Sequence, residues 1–159
     1  MSQQAQLLFL KYAFPCAGIT LARGHICQKE YDKLERAVKK NQLIDWQTLQ
    51  KIFAPAFRRI KKMSCLTGQN IFDAQTIRDY YLKYHNKFID ENEGSYKYAP
   101  PALKQLCRVE RAKIIDVQSD CYIVKIGQKL RPVSKMICLN AKVGDWVSVH
   151  YGYAVEKLK

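Results

Sequence analysis

Across "NEGSYKYAPPALK", residues 92–104, the spacing of the apolar residues changes. Upstream they recur three and four apart, as on a helix with one buried face. Downstream they fall in short Val-, Ile- and Tyr-rich runs separated by turn residues, as in strands. No single regular element spans such a switch. The chain is therefore expected to be α+β, with its helices first and its strands last. Gly94, Ser95 and the pair Pro100–Pro101 read as a break that a helix does not cross. The expected division is a helical domain over 1–93, a linker over 94–105 and a β domain over 106–159.

In "QKEYDKLERAVKK" Tyr31, Leu34 and Val38 share one face. "DWQTLQKIFAPAFRRIKK" opens on Asp45, a residue type suited to an N-cap. Its stripe is Trp46, Leu49, Ile52, Phe53, Phe57 and Ile60, and Pro55 should kink or split it. "DAQTIRDYYLKYHNKFIDE" opens on Asp73 and sets Ile77, Tyr80, Tyr81, Tyr84 and Phe88 at helical spacing. A further helix is expected between Gln4 and Phe14. Three or four such helices predict a small bundle. After Leu106 come "RAKIIDV", "CYIVKI", "KLRPVSKMICL", "DWVSVHY" and "YAVEKL". Five short runs at this spacing predict a small five-stranded, OB-like barrel. About fifty residues give such a barrel only a marginal core of its own.

Hydrophobic residues make up 48% of the chain, enough to build a core. No run approaches the ~18 consecutive apolar residues of a membrane span. The opening also lacks the basic leading segment of a signal peptide. A soluble, cytoplasmic protein with no membrane role is expected. The cysteines at 16, 27, 65, 107, 121 and 138 form no CxxC, and His25, His85 and His150 form no HxxxH or HExxH. That spacing argues against a self-contained zinc ribbon or finger and suits free thiols in a reducing compartment. The net charge of +13 calls for an acidic partner, either nucleic acid or an acidic protein surface. The charge is shared, with 17 basic and 9 acidic residues up to 106 and 10 basic and 5 acidic after it.

Several residues have two readings on pattern alone. In "DWVSVHYGY", Val147, Val149 and Tyr151 alternate onto one face, and His150 falls on the other with Trp146 and Ser148. It reads there as a surface or half-packed histidine near a strand end. Cys107 reads as a small buried hydrophobe at a strand start. Arg58, Arg59, Lys61 and Lys62 in "FRRIKKM" read as a solvated helix end, or as a patch for phosphates or an acidic partner. Tyr80, Tyr81 and Tyr84 fit a helix core better than a stacking surface. Cys16, His25 and Cys27 are too loosely spaced to make a convincing metal set.

A resemblance adds to this reading. "VGDWVSVHYGYAVEKL" resembles the signature end of the HypC/HupF family of hydrogenase maturation chaperones. The matching positions are Val143, Gly144, Asp145, Trp146, His150, Gly152, Tyr153, Ala154, Lys157 and Leu158. Upstream, "CRVERAKIIDV" places Lys113, Ile114 and Ile115 six residues after Cys107, like the family's opening cysteine and first strand. The resemblance covers residues 106–159. Three departures stand out. Leu106 takes the place of the family's initiator methionine, so Cys107 is internal. Arg111–Ala112 replaces the usual Pro-Gly. Many members continue into a C-terminal helix past the position of Lys159, and the N-terminal bundle is expected to take over its packing and docking role.

The resemblance implies a carrier rather than an enzyme. Such chaperones hold an iron atom bearing cyanide and carbon monoxide ligands while a HypD-type partner takes part in its assembly. They then deliver the unit to the hydrogenase large-subunit precursor. Carried over, the iron ligands are Cys107 and His150, and Arg108, Arg111 and the Arg58–Lys62 cluster would serve partner binding. The chemistry is coherent. Thiolate is a soft ligand, imidazole suits iron, and neighbouring cations favour the thiolate. The competing expectation is a basic, OB-like nucleic-acid-binding module, with the charge and ten tyrosines as its warrant. A Cys–His nucleophilic enzyme is a third reading, but no orienting third group can be identified.

Overall fold

A computed structural model describes residues 2–159. The chain divides into two compact units, one ending at Ala99 and the other spanning Pro100–Lys159. Helices fill the first unit and a five-stranded sheet fills most of the second.

The first unit contains α1 (Gln3–Ala13), α2 (Ala17–Ala22), α3 (Gln28–Lys39), α4 (Trp46–Ile52), α5 (Ala54–Thr67), α6 (Ala74–Asp79) and α7 (His85–Asp90). Asp45 caps α4, its carboxylate accepting from the Thr48 amide at 2.8 Å. The expected split falls at Phe53, where Pro55 occupies the first turn of α5 and no amide is lost. Asp73 sits at the N-cap of α6 but makes no side-chain capping bond. The stripes of α1, α4 and α5 meet in an aromatic core. Phe9 lies 4.4 Å from Phe57, centroid to centroid, and Tyr12 stacks on Tyr81 at 4.6 Å. The helical stretch Gln3–Ala22 has the length and composition of a membrane-crossing helix, with mean hydropathy 1.3, and half of it is buried. Leu, Phe, Ile, Cys and Ala produce that average, and the Lys, Tyr, Pro, Gly and Thr among them keep every unbroken apolar run short.

Tyr80–Tyr84 joins α6 to α7 as a π-helical segment. The extra residue in that turn rotates α7 relative to the stripe expected from a regular helix. Tyr80 and Tyr81 remain buried, while Tyr84 is only half-buried.

The expected linker is largely helical. Gly94–Tyr98 forms a 3₁₀ turn and Pro101–Leu106 forms α8. Pro101 stands at the first helical position, where its missing N–H costs nothing and its fixed φ favours the helix. A proline pair is a barrier within a helix but a start signal at its N-terminus.

The second unit contains β1 (Val109–Val117), β2 (Cys121–Ile126), β3 (Lys129–Ser134), β4 (Trp146–His150) and β5 (Tyr153–Leu158). They close in a ring, β1-β2-β3-β5-β4 and back to β1. Neighbours are antiparallel except β3 and β5, which meet in parallel at Ser134 and Tyr153. Ala112, Ile114, Tyr122, Val124, Val133, Val147, Val149 and Ala154 fill the interior. The Tyr122 hydroxyl donates to the Cys138 carbonyl at 2.7 Å and accepts from the Ala141 amide at 3.3 Å. The run expected as one strand from Lys129 to Leu139 ends at Ser134. Cys138 therefore lies in the following loop, partly buried against the core.

Candidate functional site

The motif around His150 is built by two tight turns. Tyr151 and Gly152 connect β4 to β5 with φ of 54° and 96°. Two consecutive positive φ values make a type I′ hairpin turn, whose twist matches that of the strands it joins. Gly152 is required by that backbone. The turn fixes the register and pairs His150 with Tyr153. At the other end of β4, Gly144 has φ of 90°. Asp145 closes this loop, its carboxylate accepting from the Lys142 amide at 2.9 Å and pairing with Lys157 Nζ at 2.8 Å. Those bonds hold the Asp145 carboxyl below its usual range, the Lys157 bond contributing most. Gly144, Asp145, Gly152, Ala154 and Lys157 thus have structural tasks. No strand or turn requires an imidazole at His150.

His150 is buried, with 1% exposure. The expectation of a surface or half-packed residue is corrected here. The alternation along the strand is as expected, with Trp146 and Ser148 on the side of His150 and Val147 and Val149 in the core. Alternation assigns a side of the sheet but says nothing of what covers it, and Ser148 is buried as well.

Antiparallel pairing sets Val109 directly opposite His150. Cys107 lies two residues before Val109, at the C-cap of α8, where its amide donates to the Leu103 carbonyl at 2.9 Å. The start of β1 and the end of β4 are therefore neighbours, and the two residues singled out from the sequence lie at the same end of the sheet. Cys107 is in no disulfide among the described residues and is buried at 5% exposure. Arg108 is half-buried between Cys107 and Val109. Arg111 is engaged elsewhere, its guanidinium 5.8 Å above the ring of Trp146 at the opposite end of β4.

The basic cluster of α5 divides. Arg58, Lys61 and Lys62 are exposed. Arg59 is 4% exposed and cannot contribute to a surface patch. Its Nε donates to the Glu93 carboxylate at 2.5 Å, and its guanidinium lies 4.2 Å above the Tyr96 ring. Helical spacing turns Arg59 inward beside Ile60 and Met63.

This ion pair belongs to a buried polar group that sequence reasoning missed. Tyr96 Oη lies 3.3 Å from His85 Nε2, and His85 packs against the rings of Tyr80 and Tyr81. Burial pushes the Tyr80 phenol up, and the Arg59 charge pulls against that shift. The Tyr80 hydroxyl finds no hydrogen-bond partner among the described residues. Asp79, at the start of the π segment, accepts from Gln69, Gln75 and Lys83. Burial raises its pKa, but those three bonds outweigh burial and hold it below the usual range. The available signal was the adjacent pair Tyr80–Tyr81, which a regular helix does not point into one core with equal depth.

Cys16, His25 and Cys27 do not gather. Among the described residues no three His, Cys, Asp or Glu side chains form a metal-binding group. Cys107 and His150 together offer two donor side chains at the same end of the sheet. The sequence matches no protein-family model, and no curated protein matches it.

Proposed function

We propose that the second unit is a carrier for an iron atom bearing cyanide and carbon monoxide ligands, built on an OB-like barrel. Cys107 and His150 are its protein ligands, a HypD-type maturation protein is its partner, and the hydrogenase large-subunit precursor is its destination. The observation that carries this reading is the pairing of Val109 with His150, which brings Cys107 to the histidine end of the sheet. The resemblance of residues 106–159 supplies the chemical class. Gly144, Asp145, Gly152 and Lys157 of the motif are accounted for by turns and an ion pair, whereas neither a turn nor a strand calls for an imidazole at His150.

Thiolate is a strong ligand for low-spin iron, and binding requires the Cys107 proton to leave. With both side chains buried, loading and release need the turn at the end of α8 to open. The iron is cargo, and no substrate is turned over on this chain alone.

The test is the infrared spectrum of the chain purified anaerobically after co-expression with its ligand-assembly partners. Metal-bound cyanide and carbon monoxide bands are expected in the native chain and absent from Cys107→Ala and His150→Ala. A folded native chain that co-purifies with its partner yet lacks those bands rules out the carrier role.

A further inference from the structure

On the outer side of the sheet a row crosses four strands. Trp146 of β4 stands opposite Lys113 of β1, Lys113 opposite Lys125 of β2, and Lys125 opposite Leu130 of β3. Directly opposed residues share a side of a sheet. All four are exposed, while their chain neighbours Ala112, Ile114, Val124 and Val147 fill the interior. Arg111, also exposed, lies 5.8 Å above the Trp146 ring. Trp146 is 44% exposed on a strand whose other four residues are buried. Burial therefore does not explain the ring's presence there. Among the described residues the row holds no carboxylate. The acid next to Trp146 in the chain, Asp145, is neutralised by Lys157.

We propose that this outer face binds single-stranded nucleic acid. The ring of Trp146 gives a base a stacking surface, and Arg111 is already placed to add its charge to that stack. Lys113 and Lys125 lie one and two strand spacings away, about 5 and 10 Å, within reach of the phosphates flanking a stacked base. The two lysines separate Trp146 from Leu130. With the half-buried Leu158 on the other side of Trp146, the row runs leucine, ring, two cations, leucine, and the cations interrupt the continuous apolar patch that an aliphatic protein anchor would need. The charge of +13 supplies long-range attraction for the same ligand.

The test is titration of the full chain with oligodeoxyuridylate and oligouridylate of about twelve nucleotides, which share a base and differ in the sugar, within the usual site size of such surfaces. Trp146 emission is followed, because Trp46 is buried at 7% exposure and serves as an internal reference. Saturable quenching is expected. Log affinity should fall against log salt with a slope of about −2, as three cations give on a single strand. Trp146→Ala should weaken binding by about tenfold, read by anisotropy of the labelled strand. Lys113→Gln with Lys125→Gln should reduce the slope to about −0.7. His150→Ala should leave affinity unchanged, which separates this surface from the iron reading. Preference for one of the two oligonucleotides identifies the sugar. Absence of binding at low salt, or a slope unchanged in the double glutamine variant, overturns the proposal, the second result placing the charge elsewhere.

Discussion

Glu93 has two arginine partners of unequal burial. Arg59 reaches its carboxylate at 2.5 Å with a side chain 5% exposed, and Arg58 reaches it at 3.7 Å with a side chain 58% exposed. A buried charge that loses its counterion is strongly destabilising, whereas an exposed pair contributes little. Glu93→Gln strands the Arg59 guanidinium and should lower unfolding free energy by about 3 kcal/mol in urea denaturation. Arg58→Gln should cost less than about 0.5 kcal/mol. Equal losses for the two variants would contradict the assignment of Arg59 as the structural member. The sequence presents Arg58 and Arg59 as equivalent neighbours in a basic run. Only the phase of α5 tells them apart, and that phase depends on the helix starting at Ala54 with Pro55 in its first turn. The same limit applied to Cys107 and His150. Residue type, spacing and resemblance named them, but their depth depends on what covers that end of the sheet.

Elements were legible where local chemistry alone decides them. Asp45 starts α4, Pro55 starts a new helix, and "CYIVKI" and "YAVEKL" are β2 and β5 from end to end. Those signals act over one turn or one strand and need no tertiary partner. Two elements were not legible. Pro100–Pro101 breaks a helix arriving from upstream but starts one going downstream, and composition does not give the direction. The π segment at Tyr80–Tyr84 has no composition of its own, because packing of the tyrosines selects the extra residue. The hairpin at Tyr151–Gly152 offers a test at this scale. Gly152 has φ of 96°, with nothing within 4 Å of an added Cβ, so any cost of substitution comes from backbone strain rather than collision. Gly152→Ala should therefore destabilise by about 1–2 kcal/mol, measured by thermal unfolding. It should also disturb the pairing of His150 with Tyr153 and with Val109, detected as faster amide exchange at the ends of β4 and β1. Unchanged stability would mean that the turn does not need its positive φ.

Over the whole molecule, the +13 charge and the carboxylates act in the same direction on acidification. Asp45 is held below its usual pKa by hydrogen bonds from Thr48, Glu30 by bonds from Cys27, and Asp145 chiefly by Lys157. In Asp79 burial pushes upward, but bonds from Lys83, Gln69 and Gln75 prevail. A carboxylate with a depressed folded-state pKa binds fewer protons when folded than when unfolded. Its contribution is complete above the unfolded value, near 4, and disappears as pH falls through the folded value. Glu30, Asp45 and Asp79 belong to the first unit and Asp145 to the second, so both units should weaken over the same acidic range. Each carboxylate protonated also leaves a cation uncompensated, and self-repulsion of an already basic chain rises. The urea midpoint should therefore be level from about pH 7 to 5 and fall steadily below about 4. Added salt affects these two causes differently. It screens the repulsion between surface cations but does not restore a hydrogen bond lost to protonation. About 0.5 M sodium chloride should therefore recover part of the acid loss, and the remainder is the share held by the carboxylate bonds. Full recovery would assign acid sensitivity to net charge alone, and a midpoint that rises on acidification would contradict the direction of all four shifts.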